Sequence, residues 1–241
     1  IPERGYLRPG YKADITVICT SMPENDDATR FGILKLNEDS RIIQFDEKPM
    51  AANSDIISCG IYVVRRRQLI ELLEKTGEEG RYDFVKDILI RYKDVKRIYG
   101  YMIDSYWRNI ASVRSYYQTN MDFLKSDVRR YFFYEYPDVY SKVDDLPPAK
   151  YNPGCDVKNS LVSSGSIING RVENSVIFKD VFVGENAVIR NSIVLNGVYI
   201  SDNVYLENCV VESRGTIRPG TRYVGEQDVL VVSESNERYI L

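Results

Sequence analysis

The residues best suited to chemistry lie in a few short strings. Phe45-Asp46-Glu47-Lys48-Pro49 directly follows a predicted strand. A lysine beyond a strand end reaches a phosphate as a point charge. An adjacent glutamate accepts hydrogen bonds from sugar hydroxyls, and Pro49 fixes the turn that presents both. Ser58-Cys59-Gly60-Ile61-Tyr62-Val63 puts a hydroxyl, Ser58, and a glycine, Gly60, near the start of a strand. Asp83-Phe84-Val85-Lys86-Asp87-Ile88 opens a helix that Asp83 would cap. Tyr106-Trp107-Arg108-Asn109-Ile110 holds the only tryptophan. Alone, E-K-P is a weak signal, because a charged turn is usually only solvated; it gains weight from the strings that follow it in order.

What is missing narrows the chemistry further. The 241 residues include no histidine. A Ser-His-Asp or Cys-His nucleophilic site cannot be built, nor a His-ligated metal centre or a His general base. Catalysis would have to use carboxylates, Lys and Arg, a bound cation, or another chain. Charge is nearly balanced, 32 basic against 35 acidic residues, so no electrostatic footprint for nucleic acid is present. No apolar run nears the length of a membrane span. Cys19, Cys59, Cys155 and Cys209 lie far apart without metal-site spacing. Each sits beside an apolar stretch, as a buried free thiol would. The expectation is a reduced, cytoplasmic protein without a membrane or nucleic-acid partner.

The elements that must position these residues alternate up to about residue 150. Ala13–Thr20 and Ile56–Val64 read as buried strands, and Phe31–Leu36 with Arg41–Phe45 as a hairpin across Asn37-Glu38-Asp39-Ser40. Leu69, Ile70, Leu72 and Leu73 have helical spacing that ends at Gly77. Val95–Asp104 reads as strand, and Val113, Tyr116, Tyr117, Met121 and Leu124 as a helical stripe. Such alternation indicates an α/β layer. A connector over 129–150 carries Tyr131-Phe132-Phe133-Tyr134-Glu135-Tyr136, whose aromatics are expected to fasten it to its neighbours. An internal repeat follows. Val-x-x-Asn-Ser-apolar-apolar, or a near variant, recurs with Asn159, Asn174, Asn191 and Asn208 spaced by 15, 17 and 17 residues. That period fits one coil of a left-handed parallel β-helix, with apolar residues inside and Asn and Gly where the chain turns with unusual φ. The expected domains are an α/β part over 1–128, the connector, and a β-helix over 151–241.

The ordered set E-K-P, S-x-G-I-Y, D-F-x-K-D, Y-W-R, L-P-P-A-K and N-S-L-V resembles the ADP-glucose pyrophosphorylases (glucose-1-phosphate adenylyltransferases) of glycogen biosynthesis, from about Lys12 onward. The resemblance implies a partial Rossmann-like nucleotidyltransferase domain, α/β in class, followed by a left-handed parallel β-helix. It implies that Glu47 and Lys48 contact glucose 1-phosphate, with Lys48 on the phosphate. Ser58, beside Gly60, would lie against the sugar, and Asp83 and Lys86 would shape the pocket. The departures carry information too. The Gly-rich nucleotide loop of the family is absent, so the chain reads as part of a longer protein. Where the family's catalytic members have Y-W-R-D, this chain has Tyr106-Trp107-Arg108-Asn109. Asn109 replaces the Asp that the family uses to hold Mg²⁺, and Mg²⁺ favours carboxylates. These departures resemble the regulatory-subunit branch. Such a subunit, hexapeptide repeat included, would join a catalytic ADP-glucose pyrophosphorylase subunit in a hetero-oligomer, a tetramer by analogy. It would bind glucose 1-phosphate or a sugar-phosphate effector, with Mg²⁺ binding weakened or absent. Two alternatives stand beside this: a catalytic member seen in part, and a non-enzymatic pyrophosphorylase-like assembly subunit.

Overall fold

The computed structural model describes residues 13–22, 27–136 and 142–233. The chain forms two compact units that divide between Trp107 and Arg108. Parts of the expected connector (137–141) and of the β-helix (234–241) lie outside the described residues.

In the first unit, β1 (Ile15–Ser21), β2 (Gly32–Leu36), β3 (Ile42–Glu47), β4 (Ile56–Val64) and β5 (Ile98–Met102) form one mixed sheet in the order β3-β2-β4-β1-β5. β1 runs parallel to β5 and antiparallel to β4, while β2 and β3 make the expected hairpin. Strand side chains alternate between faces. Ile15, Val17 and Cys19 share one face with Leu34, Phe45 and Ile98, beneath Leu72 of α1 (Arg66–Glu78) and Ile88 and Leu89 of a π-helical segment, Phe84–Ile90. The other face carries Ile33 and Ile57, covered by Phe31 and Trp107. The hairpin turn is fixed by Asn37, whose Oδ1 accepts the N–H groups of Asp39 and Arg41. Its tip reaches β5, where the Gly100 N–H donates to the Ser40 carbonyl at 2.9 Å. A Cβ on Gly100 would meet the Leu36 side chain at 2.7 Å, so any larger residue there would push Leu36 aside.

The second unit holds three five-stranded parallel sheets, the faces of a solenoid of five coils. The register is continuous from coil to coil, as in Val157, Val172, Ile189, Leu206 and Tyr223. The four repeat asparagines all adopt left-handed φ: Asn159 at 42°, Asn174 at 46°, Asn191 at 44° and Asn208 at 53°. Asparagine tolerates this region better than other non-glycine residues. The serine after each of the first three asparagines, and Cys209 after the fourth, build a ladder. The N–H groups of Ser175, Ser192 and Cys209 donate to the hydroxyls of Ser160, Ser175 and Ser192 one coil back, at 3.1 Å. Each of those hydroxyls donates to the carbonyl two residues before it.

The helical stripe placed in the α/β part forms α2 (Val113–Asp122), capped by a reciprocal Ser112–Ser115 pair. Its Tyr116, Tyr117 and Met121 pack on Val176, Ile193 and Val210, an apolar column on the outside of the solenoid. The Tyr117 hydroxyl donates to the Asn191 carbonyl at 2.7 Å. Asp122, fully buried, is held by Arg108 at 3.0 Å and Lys125 at 2.7 Å. A buried carboxylate needs such partners, and these fix the chain just after Trp107 to the solenoid unit. In the connector, Phe132 packs on Phe123 as expected, whereas Phe133 and Tyr134 are exposed. All four cysteines are free, but only Cys19 and Cys209 are buried; Cys59 and Cys155 are half-buried.

Candidate functional site

The site residues expected from sequence fall in the first unit, Asn109 excepted. Glu47 ends β3, paired with Gly32 of β2. A Cβ on Gly32 would lie 3.1 Å from the Glu47 carboxylate, so glycine leaves that carboxylate room. Lys48 follows with φ of 50°. A non-glycine residue pays about 1–2 kcal/mol for this conformation, and a residue before proline is ordinarily held extended. The turn is held by the Lys48 N–H, which donates to the Phe31 carbonyl at 3.0 Å. The Asp46 carboxylate accepts from Asn53 at 3.0 Å, tying down the loop beyond Pro49. The Lys48 ammonium lies 3.8 Å from Glu47 and is 62% exposed, open to an incoming anion.

Ser58 and Gly60 sit at an irregularity in β4. Cys19 pairs with Ser58 and the next residue back, Ile18, with Ile61, so Cys59 and Gly60 bulge out of the ladder. Gly60 takes the bulge with φ of 71°, and its N–H donates to the buried Ser58 hydroxyl at 3.2 Å. Bulges re-aim side chains. Beyond this one, Tyr62 packs on Phe84 with ring centroids 5.0 Å apart. Burial pushes the Tyr62 phenol above its ordinary pKa, a hydrogen bond with Ser58 pulls it down, and the Glu47 and Asp83 carboxylates push it up. Through these influences Tyr62 links the Ser58 string with the strand that ends at Glu47 and the helix that Asp83 caps.

Asp83 caps its helix as expected: its carboxylate accepts the Lys86 N–H at 2.9 Å. The helix is π-helical rather than α, and Asp87 accepts the Asp83 N–H at 3.0 Å. Lys86 stands outward, 64% exposed and 4.0 Å from Asp83. The structure places Glu47 and Lys48 3.8 Å apart at the end of β3, Ser58 and Gly60 in the β4 bulge, and Asp83 at the head of the π-helical segment. Gly60 contributes backbone, and Lys86 sits at the margin. Tyr62 was not singled out from sequence; its place five residues into the same S-x-G-I-Y string was the available signal. Asn109 lies in the second unit, half-buried, next to the Arg108–Asp122 pair. Arg129 donates to the Phe123 carbonyl, and Arg130 pairs with Glu135.

Mg²⁺ is the cation that the resemblance implies. Among the described residues, no three His, Cys, Asp or Glu side chains converge to hold a metal ion, and Asn109 offers a neutral amide. Among the described residues, no helix is long and apolar enough to cross a membrane.

Comparison with known proteins agrees with this geometry. Residues 9–126 match the family model described as nucleotidyl transferase, and residues 147–231 match that of the GlmU-like C-terminal hexapeptide. The glucose-1-phosphate adenylyltransferase of Pseudothermotoga lettingae is 36% identical over 73% of this chain and 43% of its own length. That of Geobacillus stearothermophilus is 33% identical over 74% and 46%, and that of Bacillus subtilis 34% over 74% and 47%. The chain thus spans less than half the length of these relatives. A nucleotidyl transferase-like sheet is thus followed by a solenoid similar to the GlmU-like hexapeptide, and the chain is distantly similar to the glucose-1-phosphate adenylyltransferases over nearly three quarters of its length.

Proposed function

We propose that the protein is a subunit of glucose-1-phosphate adenylyltransferase in glycogen biosynthesis, and that its role is regulatory. It binds glucose 1-phosphate, or an effector with the same sugar-phosphate chemistry, at Glu47, Lys48, Ser58, Tyr62 and Asp83. The observation that supports this most is the Lys48 turn. A lysine held in a left-handed conformation beside Glu47, with its ammonium open, is a strained arrangement with an evident use as an anion contact. Glu47, Ser58 and Asp83 supply acceptors and a hydroxyl for sugar hydroxyls.

In this reading the chemistry belongs to a catalytic partner subunit, joined in a hetero-tetramer in the cytoplasm. An oxygen of glucose 1-phosphate attacks the α-phosphorus of ATP; the new P–O bond forms as pyrophosphate leaves. Asn109 supports the regulatory role, since an amide removes one full negative charge from the expected Mg²⁺ ligand set. The relatives' own names favour a second reading, a catalytic adenylyltransferase. The full-length protein with ATP, glucose 1-phosphate and Mg²⁺ separates the two. The regulatory reading predicts no turnover by the isolated subunit near ordinary enzyme rates of about 1–1,000 s⁻¹, and a changed effector response of the catalytic subunit on mixing. Turnover alone at such rates establishes the second reading.

A further inference from the structure

The Lys48 turn opens a loop that side-chain packing does not hold. Residues 50–53 are all exposed, Met50 to 94%. Burial of their side chains therefore contributes little to the shape of the loop. Lys48 nonetheless needs a firm hold. Its φ is 50° and Pro49 follows it, and such a backbone persists only where its surroundings over-determine it. Hydrogen bonds supply that hold at both ends of the loop. At the near end the Lys48 N–H donates to the Phe31 carbonyl at 3.0 Å. At the far end Asn53 Nδ2 donates to Asp46 Oδ2 at 3.0 Å, and the same oxygen accepts Gln44 Nε2 at 2.7 Å. Gln44 thus fixes the Asp46 carboxylate from within β3, and Asn53 closes the loop back onto it. The chain then enters β4 anchored, with the Met22 N–H on the Asp55 carbonyl at 2.7 Å and the Ile56 N–H on the Ser54 hydroxyl at 3.2 Å. Side chains alternate along β3, so Asp46 projects to the face opposite Glu47. Its carboxylate serves the loop and not the sugar.

We propose that Asn53, acting through Asp46, is a positioning residue for Lys48: it keeps the turn in the conformation that meets a sugar phosphate, without touching the ligand. When a binding-competent conformation is populated only in part, the apparent affinity falls by that fraction. The Asp46–Asn53 bond raises the fraction. The inference rests on the reading of Lys48 as the phosphate contact and deepens it.

The test titrates the 241-residue chain with glucose 1-phosphate by calorimetry and follows hydrogen exchange of the Lys48 amide. Asn53→Ala should weaken binding about 3- to 10-fold, the weight of one hydrogen bond, and speed exchange of the Lys48 amide. On a Lys48→Ala background the same change should weaken binding no further, because it acts through the lysine. A merely structural role predicts equal losses on both backgrounds. Asn53→Asp sets two carboxylates against each other and should also weaken binding. Adding Asp46→Asn should restore it, since the introduced amide donates to the introduced carboxylate. Asn53 is exposed, so these variants keep the fold, as circular dichroism will report. No binding by the unaltered chain overturns the sugar-phosphate reading and this inference with it. Binding or Lys48 exchange that Asn53→Ala leaves unchanged, an equal loss on the Lys48→Ala background, or no rescue by the paired change overturns this inference alone.

Discussion

At the scale of single residues, Lys48 sets conformational cost against chemistry. Glycine at position 48 keeps the left-handed turn without the Cβ penalty but loses the ammonium. Lys48→Gly is expected to leave the first unit as stable, or more stable by up to about 1 kcal/mol. Its affinity for glucose 1-phosphate should fall about 10- to 100-fold, the loss of one charge-assisted contact. Thermal melting and calorimetric titration read the two effects separately, and a variant that loses stability and keeps affinity contradicts the account. Burial pushes the Cys19 thiol up to about 12 and the Cys59 thiol to about 11. Both therefore carry very little thiolate at neutral pH, and iodoacetamide should label them only after unfolding. The E-K-P and S-x-G-I-Y strings announced polar chemistry in the sequence. The strain at Lys48 and the convergence on Tyr62 were not legible there, because they arise from the Phe31–Lys48 hydrogen bond and the bulge opposite Cys19.

At the scale of elements, the repeat was the most legible feature, because its Asn positions and apolar pairs map directly onto corners and coil interior. The serine ladder was present in the Asn-Ser pairs but its use was not, since it depends on the neighbouring coil. Ser192→Ala removes the acceptor of the Cys209 N–H and a donor to the Arg190 carbonyl. It should cost the solenoid about 1–3 kcal/mol, measured by denaturant unfolding. Gly184→Ala should also destabilise, because the added Cβ meets Asp202 Oδ1 at 2.5 Å and the Ser201 backbone at 2.6 Å. The helix Val113–Asp122 is legible as a helix, but what it packs on is not. Its stripe of Tyr116, Tyr117 and Met121 indicates only that some apolar surface receives it. The column Val176, Ile193 and Val210 that does so faces outward on the solenoid, which the repeat pattern alone does not mark.

At the scale of the whole molecule, the absence of histidine has a measurable consequence. No side chain has its ordinary pKa between 5 and 8, so stability should be flat across that range. The acid limb is set by paired carboxylates. Asp14 is held below the usual range by its hydrogen bonds with Arg97, and Asp144 by Lys179. A lowered carboxylate contributes stability that is present above its unfolded pKa of about 4 and is lost as pH falls through the lower folded value. Asp14→Asn should flatten the acid loss of the first unit, and Asp144→Asn that of the solenoid unit, in melts taken from pH 7 to pH 2. Two compact units divided at Trp107 give these effects separate addresses. The central claim is that the first unit holds a sugar phosphate through Lys48 and its neighbours, and calorimetric titration of the chain with glucose 1-phosphate tests it most directly. The account predicts saturable one-site binding that Lys48→Ala weakens about 10- to 100-fold; no binding, or equal binding by the Lys48→Ala chain, would contradict it.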